Sequence, residues 1–351
     1  MPIIFIIPTG IACEIGGYAG DGLPAARLLS EASGCLITHP NVMNGASLYW
    51  RSDKIFYVEG YSLNKFALGE LVLRPIKSQR IGILFDSAIE EDLKNMHLNV
   101  INSCKYTLGI DINSIVFTEE KLNIELTKSS SGTSAGRITS VEVLSNAAQK
   151  LLNNGSTAIA IITRFPDSHD AAELADYRQG CGVDPISGTE SMISHFISHT
   201  FNVPCAHSPA LRPISVSAGI DPRSAAEEIG YTFLPSVLVG LNKAPNLIKK
   251  EENTSFINHH QEIIDISHIG ALVIPDGALG NECVFSCIEN NIPIIVVKNK
   301  NLLNITSDVL QIKNIIKVDN YIEAAGIVLA LKNGISIDSL RRPVEAVKSS
   351  I

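Results

Sequence analysis

Four side chains with acid–base capacity follow short apolar segments of the sequence. Each segment has the composition of a buried strand and ends in a polar turn. Because α/β proteins place ligand groups at the carboxyl ends of their strands, these positions are candidates for proton transfer. The candidate catalytic residues are His39, Asp167, His169 and Asp276.

Each of these four side chains also has a structural interpretation. A polar side chain that precedes a helix accepts hydrogen bonds from the unpaired N–H groups of the first helical turn. Acid–base groups in unusual surroundings nevertheless concentrate at functional sites. The sequence therefore leaves both interpretations open for each residue taken alone.

A glycine-rich segment near the start of the chain, PTGIACEIGGYAGDG, is suited to holding an anion. Glycines allow close approach of the backbone, and the helix expected from Pro24 would present unpaired N–H groups. The segment matches neither the dinucleotide fingerprint nor the Walker A pattern. A tight turn that needs glycine only for its geometry is the alternative. The candidate binding residues are Gly16, Gly17, Gly20 and Asp21.

A second candidate loop is SSSGTSAGR, residues 129–137, ahead of a helix expected to start near Thr139 or Ser140. Hydroxyl groups and an arginine at a helix start would give phosphate or carboxylate charge-assisted hydrogen bonds. On this basis Arg137→Ala is expected to weaken ligand binding. A flexible Ser/Gly linker is the alternative. The candidate binding residues are Ser131, Gly132, Thr133, Ser134 and Arg137.

A third polar segment, SGTE, leads into an amphipathic helix that carries His195 and His199 on its polar side. Histidines four residues apart can bind a metal or relay a proton, but the acidic residue that zinc proteases place after the first histidine is missing. No spacing indicates a metal site, and solvated or capping histidines are the alternative. The candidate binding residues are Ser187, Gly188, Thr189 and Glu190.

The elements that must position these residues form a repeated strand, loop and helix unit. Ile/Val-rich segments that read as strands buried on both faces recur along the chain and predict an α/β fold with a mostly parallel sheet and flanking helices. One complete βαβ crossover is expected between residues 271 and 297. The other predicted strands are Ile3–Ile7, Cys35–Thr38, Ile81–Phe85 and Ala158–Ile162.

The middle of the chain has a different order of elements. Between residues 78 and 165 the pattern is β-α-β-β-α-β, with paired strands expected at Ser114–Phe117 and Ile124–Leu126. This order is the split βαβ plan of ferredoxin-like domains. We therefore expect a ferredoxin-like domain at 78–165, inserted into a discontinuous α/β domain formed by residues 1–77 and 166–351.

Composition excludes several classes of partner. The net charge is −8 and the basic residues are scattered, which disfavours nucleic acid. No apolar run is long enough to cross a bilayer, so no membrane contact is expected. Seven cysteines without CxxC spacing indicate a reducing compartment and a cytoplasmic location. A homo-oligomer is compatible with the sequence, and no cofactor can be identified from it.

Several segments together resemble a known family. PTGIACEIGGYAGDG, THPNVMNGA, TRFPD, GIDPRSAAEEIGYTFLP and IPDGALGN are similar to an uncharacterised, mainly cyanobacterial family catalogued as a domain of unknown function, 3326. The resemblance covers the full length, implies a cytoplasmic bacterial protein and transfers no catalytic residue. SGTESMISH is also similar to the SGGTEG-type segment of cyanuric acid hydrolases and barbiturases, with Ser191 in place of a glycine.

The sequence thus favours an enzyme of unknown reaction that acts on a small anionic metabolite, either carboxylated or phosphorylated. We expect the metabolite to bind at the glycine-rich loops, in a cleft between the large domain and the insert. A non-catalytic metabolite sensor with the same loops is the main alternative. A barbiturase-like amidohydrolase is a further one.

Overall fold

The computed structural model describes residues 1–45, 52–166, 171–212, 219–225, 233–251, 263–344 and 346, without the side chains of 171–174. Asp167 and His169 therefore lie outside the described residues. The strands, in chain order, are β1 (Pro2–Phe5), β2 (Cys35–Thr38), β3 (Ile55–Tyr57), β4 (Leu71–Arg74), β5 (Ile81–Phe85), β6 (Ile112–Phe117), β7 (Ile124–Lys128), β8 (Ser134–Ile138), β9 (Ala158–Arg164), β10 (Cys205–Ala210), β11 (Asn246–Lys249), β12 (Ala271–Pro275), β13 (Ile294–Val297) and β14 (Ile315–Val318).

The helices surround these strands in the order that the alternating pattern predicts. They are α1 (Leu23–Ser33), α2 (Pro40–Met43), α3 (Gly60–Ala67), α4 (Glu91–Leu108), α5 (Val141–Asn153), α6 (Ala171–Arg178), α7 (Ser187–Phe201), α8 (Phe233–Asn242), α9 (Glu282–Glu289), α10 (Tyr321–Lys332) and α11 (Ile337–Leu340). In the part of the chain that the structure describes, no helix combines the length and apolar character needed to cross a membrane.

The larger sheet has six strands in the order β14-β13-β12-β1-β2-β3, and every pairing is parallel. Strands β2 and β3, both within the first 57 residues, extend the sheet in one direction from β1, and β12 to β14 extend it in the other. This is the strand arrangement of doubly wound folds, in which side chains at the carboxyl ends of the strands face a common edge. The loops after β1, β2 and β3 therefore open on the same side.

The smaller sheet has four parallel strands in the order β10-β9-β5-β6. An apolar core cluster joins this sheet to the larger one and contains Phe5 of β1 together with Ile83 of β5 and Ala160 of β9. Helix α8, whose Val237 and Leu238 are fully buried, belongs to the same cluster and contacts β5, β9 and β10. The two sheets are therefore held by one continuous interior.

Two antiparallel pairs complete the described structure. Strand β4 pairs with β11, and β7 pairs with β8 as a hairpin. The expected pairing of Ser114–Phe117 with Ile124–Leu126 is wrong, because β6 pairs with β5 and β7 pairs with β8. The polar segment 129–137 supplies the turn and second strand of this hairpin, so the strand at 124–128 finds its partner downstream.

The predicted α/β fold with mostly parallel strands and flanking helices is confirmed. Strands β5 and β9 lie side by side, as expected for the segment 78–165. The arrangement departs from the split βαβ plan in three respects. Strands β5, β6 and β9 pair parallel, the β7–β8 hairpin forms a sheet of its own, and β10 joins the four-stranded sheet. The domain bounds at 78 and 165 stay a prediction.

Candidate functional site

A cavity of about 1070 Å³ opens at the carboxyl ends of β1, β2 and β3. The loops after these strands contribute Thr9, His39 and Glu59, helix α7 contributes a second wall, and β10 contributes His207. The cavity is thus lined by residues from both parallel sheets. Its volume is in the range of pockets that bind small molecules.

Glu59 and His195 form a carboxylate–histidine pair in this cavity. The carboxylate follows β3 and is buried, with its side chain 2% exposed, and its Oε1 lies 2.9 Å from Nε2 of His195. Its Oε2 accepts hydrogen bonds from the backbone N–H groups of Tyr61 and Ser62 at 3.0 and 3.2 Å. Glu59 is therefore fixed by the first turn of α3 and in turn fixes the imidazole.

The pKa of His195 reflects two opposing effects. Burial lowers it, but the hydrogen bond and the negative charge of Glu59 outweigh burial, so the net shift is upward from the ordinary value of 6.5. The side chain is 46% exposed and lines the cavity. The contact with Glu59 consequently favours the protonated imidazole, which can deliver a proton to a bound molecule.

Glu190, in the first turn of α7, and His207 form a second carboxylate–histidine pair. Glu190 Oε1 is 3.0 Å from His207 Nδ1, and His207 Nε2 contacts the hydroxyl of Thr163 on β9. His207 is 2% exposed, whereas the Glu190 side chain is 23% exposed and lines the cavity. The imidazole thus links a buried hydroxyl to a carboxylate that a ligand can reach.

His39 has a third environment. Its Nε2 accepts a hydrogen bond from the backbone N–H of Ile7 at 3.1 Å, and burial, reinforced by the charge of His195, lowers its pKa to about 4. His39 is therefore neutral at physiological pH, with its proton on Nδ1. No described residue accepts that proton, so His39 offers the cavity an uncharged hydrogen-bond donor.

The glycine loop after β1 is organised around an internal carboxylate. Asp21 Oδ1 accepts hydrogen bonds from the N–H groups of Gly16 at 2.7 Å and Tyr18 at 3.3 Å, and burial raises the pKa of Asp21 to about 6. Gly16 has a φ of +89°, and an added Cβ would overlap Ile7. The chain's own Asp21 therefore occupies the anion position expected here. Of the four candidates in this loop only Gly17 lines the cavity.

Segment 129–137 is neither a linker nor a loop at a helix start. Ser134–Ile138 is strand β8, and Arg137 is an exposed residue opposite Glu125 in the hairpin. Ser131, Gly132 and Thr133 build the hairpin turn, in which Gly132 has a φ of +85°. Strand pairing, which the Ser/Gly composition concealed, places Arg137 in β8 and outside the cavity lining. The cavity therefore gives no support to an anion site at Arg137, which stays a prediction.

The start of α7 packs against this hairpin. Ser134 donates a hydrogen bond to the carbonyl of Pro185 and accepts one from the N–H of Gly188 at 3.1 Å. A Cβ on Gly188 would overlap the backbone of Ser134, and one on Gly136 would overlap Thr189. Gly188 and Thr189 therefore serve close packing, while Ser187 and Glu190 of the same segment line the cavity.

Asp276 does not reach the cavity either. Its Oδ1 accepts the N–H of the following Gly277 at 2.9 Å, and its carbonyl accepts from the amide of Asn301 in the loop after β13. Strand β12 lies across β1 from β2 and β3, so the loop after it turns toward β13. The structure thus assigns Asp276 to a turn, the alternative that the sequence left open.

The sequence pattern missed the residues that dominate this site. Glu59 follows an Ile-Phe-Tyr strand as His39 follows Cys35–Thr38, and this placement was the available signal. The sequence pairs His195 with His199 on the polar side of a helix and does not indicate Glu59 as its partner. His207 lies inside strand β10, whereas the search for candidates is limited to the ends of strands. Among the described residues, no group of three or more His, Cys, Asp or Glu side chains has an arrangement suited to a metal ion.

Comparison with known proteins agrees with the resemblance seen in the sequence. A cyanobacterial protein from Synechococcus sp., named as an uncharacterized lipoprotein, is 44% identical over 333 residues, which cover 95% of this chain and 91% of the relative. A family described as protein of unknown function (DUF3326) matches residues 2–341. The chain therefore belongs to this DUF3326 family.

Proposed function

We propose that this protein is an enzyme that transfers protons to and from a small metabolite bound in the cavity between its two parallel sheets. The observation that carries the proposal is the 2.9 Å contact between buried Glu59 and His195 at the wall of a cavity of about 1070 Å³. A carboxylate that fixes an imidazole is the arrangement by which many enzymes orient a general acid or base.

The geometry assigns separate tasks to the two ring nitrogens of His195. Nε2 donates its proton to Glu59, so Nδ1 is the nitrogen that exchanges a proton with a substrate. The upward-shifted pKa favours the protonated imidazole more than in a free histidine, and the contact with Glu59 orients the ring for general acid–base catalysis. Neutral His39 would donate a hydrogen bond to a substrate oxygen without adding charge.

The proposal includes an anionic metabolite, and the residues that support this part of it are two arginines and not the glycine-rich loops. The glycine loops serve packing and internal hydrogen bonds, whereas Arg178 and Arg212 line the cavity. Arg212 is 46% exposed and pairs with Glu90 and Asp92. Arg178 and Arg212 are the two lysine or arginine side chains in the described cavity lining, so a carboxylate or phosphate of the metabolite would be attracted to that part of the wall.

The test uses a mixture of small carboxylic acids and phosphorylated metabolites incubated with the protein in D₂O. Mass spectrometry should detect deuterium uptake or a new product for at least one compound. His195→Gln and Glu59→Gln should reduce that signal about 100-fold or more, the usual size of a general acid–base contribution. His199→Gln is the matched control, because His199 is exposed on the same helix and contacts only Tyr61 among the described aromatic rings.

Two other outcomes separate the remaining functions. A compound that binds but returns unchanged after long incubation would support a metabolite sensor, which the cavity's position between two sheets also suits. A barbiturase-like reaction would need a serine activated by lysine, and the described cavity lining contains no lysine. Cleavage of a cyclic amide substrate would favour the barbiturase-like reaction over the proposed proton transfer.

A cytoplasmic location is part of the proposal. All seven cysteines are free, as expected in a reducing compartment. The Synechococcus relative is named a lipoprotein, so attachment at a membrane is the competing possibility for this chain. Fractionation of native cells decides between them, since a protein recovered with washed membranes would refute the cytoplasmic assignment.

A further inference from the structure

We propose that Glu190 is a second proton-transfer group, which accepts a proton from one atom of the metabolite while His195 delivers a proton to another. This inference rests on the proposed function and makes it more specific. The reaction would move a proton within one substrate or eliminate across adjacent atoms, so it would need neither an oxidant nor a second substrate. Isomerisation and elimination are the two reaction classes that fit.

The placement of the two groups supports this division of labour. Glu190 and His195 both lie on α7, and both line the cavity. Each is held by a buried partner from a different sheet, since Glu59 follows β3 of the six-stranded sheet and His207 belongs to β10 of the four-stranded sheet. Two acid–base groups with independent supports can keep different protonation states.

The hydrogen bonds around His207 identify Glu190 as the acceptor. The Thr163 hydroxyl is fully buried and has no described partner other than His207 Nε2, so its proton must point to that nitrogen. Neutral His207 then carries its proton on Nδ1 and donates it to Glu190 Oε1 at 3.0 Å. Glu190 Oε1 is the acceptor of this bond, and the carboxylate form of Glu190 is the one that can take a proton from a substrate.

The second oxygen of Glu190 is the reacting atom. No described residue donates a hydrogen bond to Oε2, and the side chain is 23% exposed at the cavity wall. A substrate C–H or O–H would lose its proton to Oε2, and protonated His195 would return one through Nδ1. In an isomerisation, the C–H electron pair forms a new double bond while an existing double bond shifts, and the atom that receives the displaced electrons takes the proton from His195. In an elimination, the C–H electron pair forms the double bond while the C–O bond on the adjacent carbon breaks, and the departing oxygen takes the proton from His195. Proton exchange with solvent then restores Glu190 and His195.

The experiment compares Glu190→Gln with His195→Gln in the D₂O incubation described above. Glu190→Gln should lower net conversion about 100-fold or more, since glutamine cannot accept the proton. The variant should still bind the compound that the wild-type protein converts, because the amide keeps the size of the side chain. Binding is measured as the rise in Tm that the compound causes. Glu125→Gln, on the exposed face of the hairpin, is the control that should match wild type.

Each outcome separates the two proposals. Loss of conversion in His195→Gln together with full conversion in Glu190→Gln would overturn the role of Glu190 alone. No conversion by wild-type protein would overturn the proposed function and this inference with it. A long-range ¹H–¹⁵N spectrum of histidine-labelled wild-type protein should also show His207 as the Nδ1–H tautomer, and the Nε2–H tautomer would refute the proposal even if Glu190→Gln fails to fold.

Discussion

Three histidines share one cavity, yet their hydrogen-bond partners give them different chemistry. His39 accepts from a backbone N–H and stays neutral, with its pKa lowered to about 4 mainly by burial. His195 donates to Glu59 and has a raised pKa, although burial opposes the shift. His207 lies between a hydroxyl and a carboxylate. A histidine in the sequence therefore indicates only that proton transfer is chemically possible. The hydrogen-bond partner of each ring nitrogen determines whether that histidine donates, accepts or stays neutral.

Gly60 controls the contact between Glu59 and His195. A Cβ added to Gly60 would lie 3.0 Å from His195 Nε2, so Gly60→Ala should push the imidazole away from the carboxylate. We predict that the pKa of His195 falls from its raised value toward or below 6.5, because the hydrogen bond and the attraction weaken while burial remains.

An NMR titration of the histidine ring signals measures this shift. Gly326→Ala is the control, since a Cβ there meets nothing within 4 Å. An unchanged His195 pKa in Gly60→Ala would show that the imidazole tolerates the extra methyl group and that Gly60 has no part in positioning it.

Asp21 gives a prediction about pH and stability. Burial raises its folded pKa to about 6 from 3.8, so the folded state holds the proton more tightly than the unfolded state. Stability from this group is fully present below about pH 4 and is lost as pH rises through 6. Asp21→Asn keeps an oxygen acceptor for Gly16 and Tyr18, and it should remove this loss.

Urea unfolding at pH 5 and pH 7.5 tests the change. The stability of Asp21→Asn relative to wild type should increase by about 1 to 2 kcal/mol between the two pH values, which corresponds to roughly one pKa unit of penalty after allowance for solvent screening. A difference that stays constant with pH would mean that Asp21 titrates normally in the folded protein.

At the scale of elements, the sequence predicted helices and buried strands well and polar segments poorly. Periodic apolar residues determined α1, α4 and α5, and the Ile/Val runs determined β1 and β9, because burial leaves a direct trace in residue type. Segment 129–137 carries no such trace. Its hairpin depends on pairing with β7 and on contact with α7, and neither partner can be read from serines and glycines alone.

A substitution at Gly188 tests whether the stability of the protein depends on the close contact between the hairpin and α7. Its Cβ would overlap the carbonyl of Ser134, which is backbone and cannot rotate aside. Gly188→Ala should therefore destabilise the protein by about 1 to 3 kcal/mol, the usual cost of overpacking, despite the better helix propensity of alanine.

Gly326→Ala in α10 is the matched substitution for this prediction. It should leave stability unchanged or raise it by up to about 1 kcal/mol, because alanine favours a helix and the position is open. Both variants are measured by urea unfolding. Equal stability of Gly188→Ala and wild type would mean that the hairpin can shift away from α7 without loss.

For the whole molecule, the fold class could be predicted from the sequence but the composition of the site could not. Glu59 and His195 belong to distant parts of the chain and meet only because α3 and α7 pack together between the two sheets. Strand-end reasoning located His39 and one end of the cavity correctly. It could not show which sheet edges face each other, since that depends on the order of strands and on the interior shared by both sheets.

The cavity lined by residues from both parallel sheets is the expected ligand-binding site, and filling it should prevent binding. Ser191 lines the cavity from α7, whereas Thr200 is exposed near the other end of the same helix. Ser191→Trp should fill part of the space and remove ligand binding while α7 stays folded. Thr200→Trp adds the same side chain outside the cavity and should bind as wild type does. A compound present at a concentration 100 times its Kd stabilises the folded state by about 2.7 kcal/mol, and the resulting rise in Tm can be measured. We expect that shift in wild type and Thr200→Trp and its loss in Ser191→Trp, whereas an equal shift in all three would place the binding site elsewhere on the molecule.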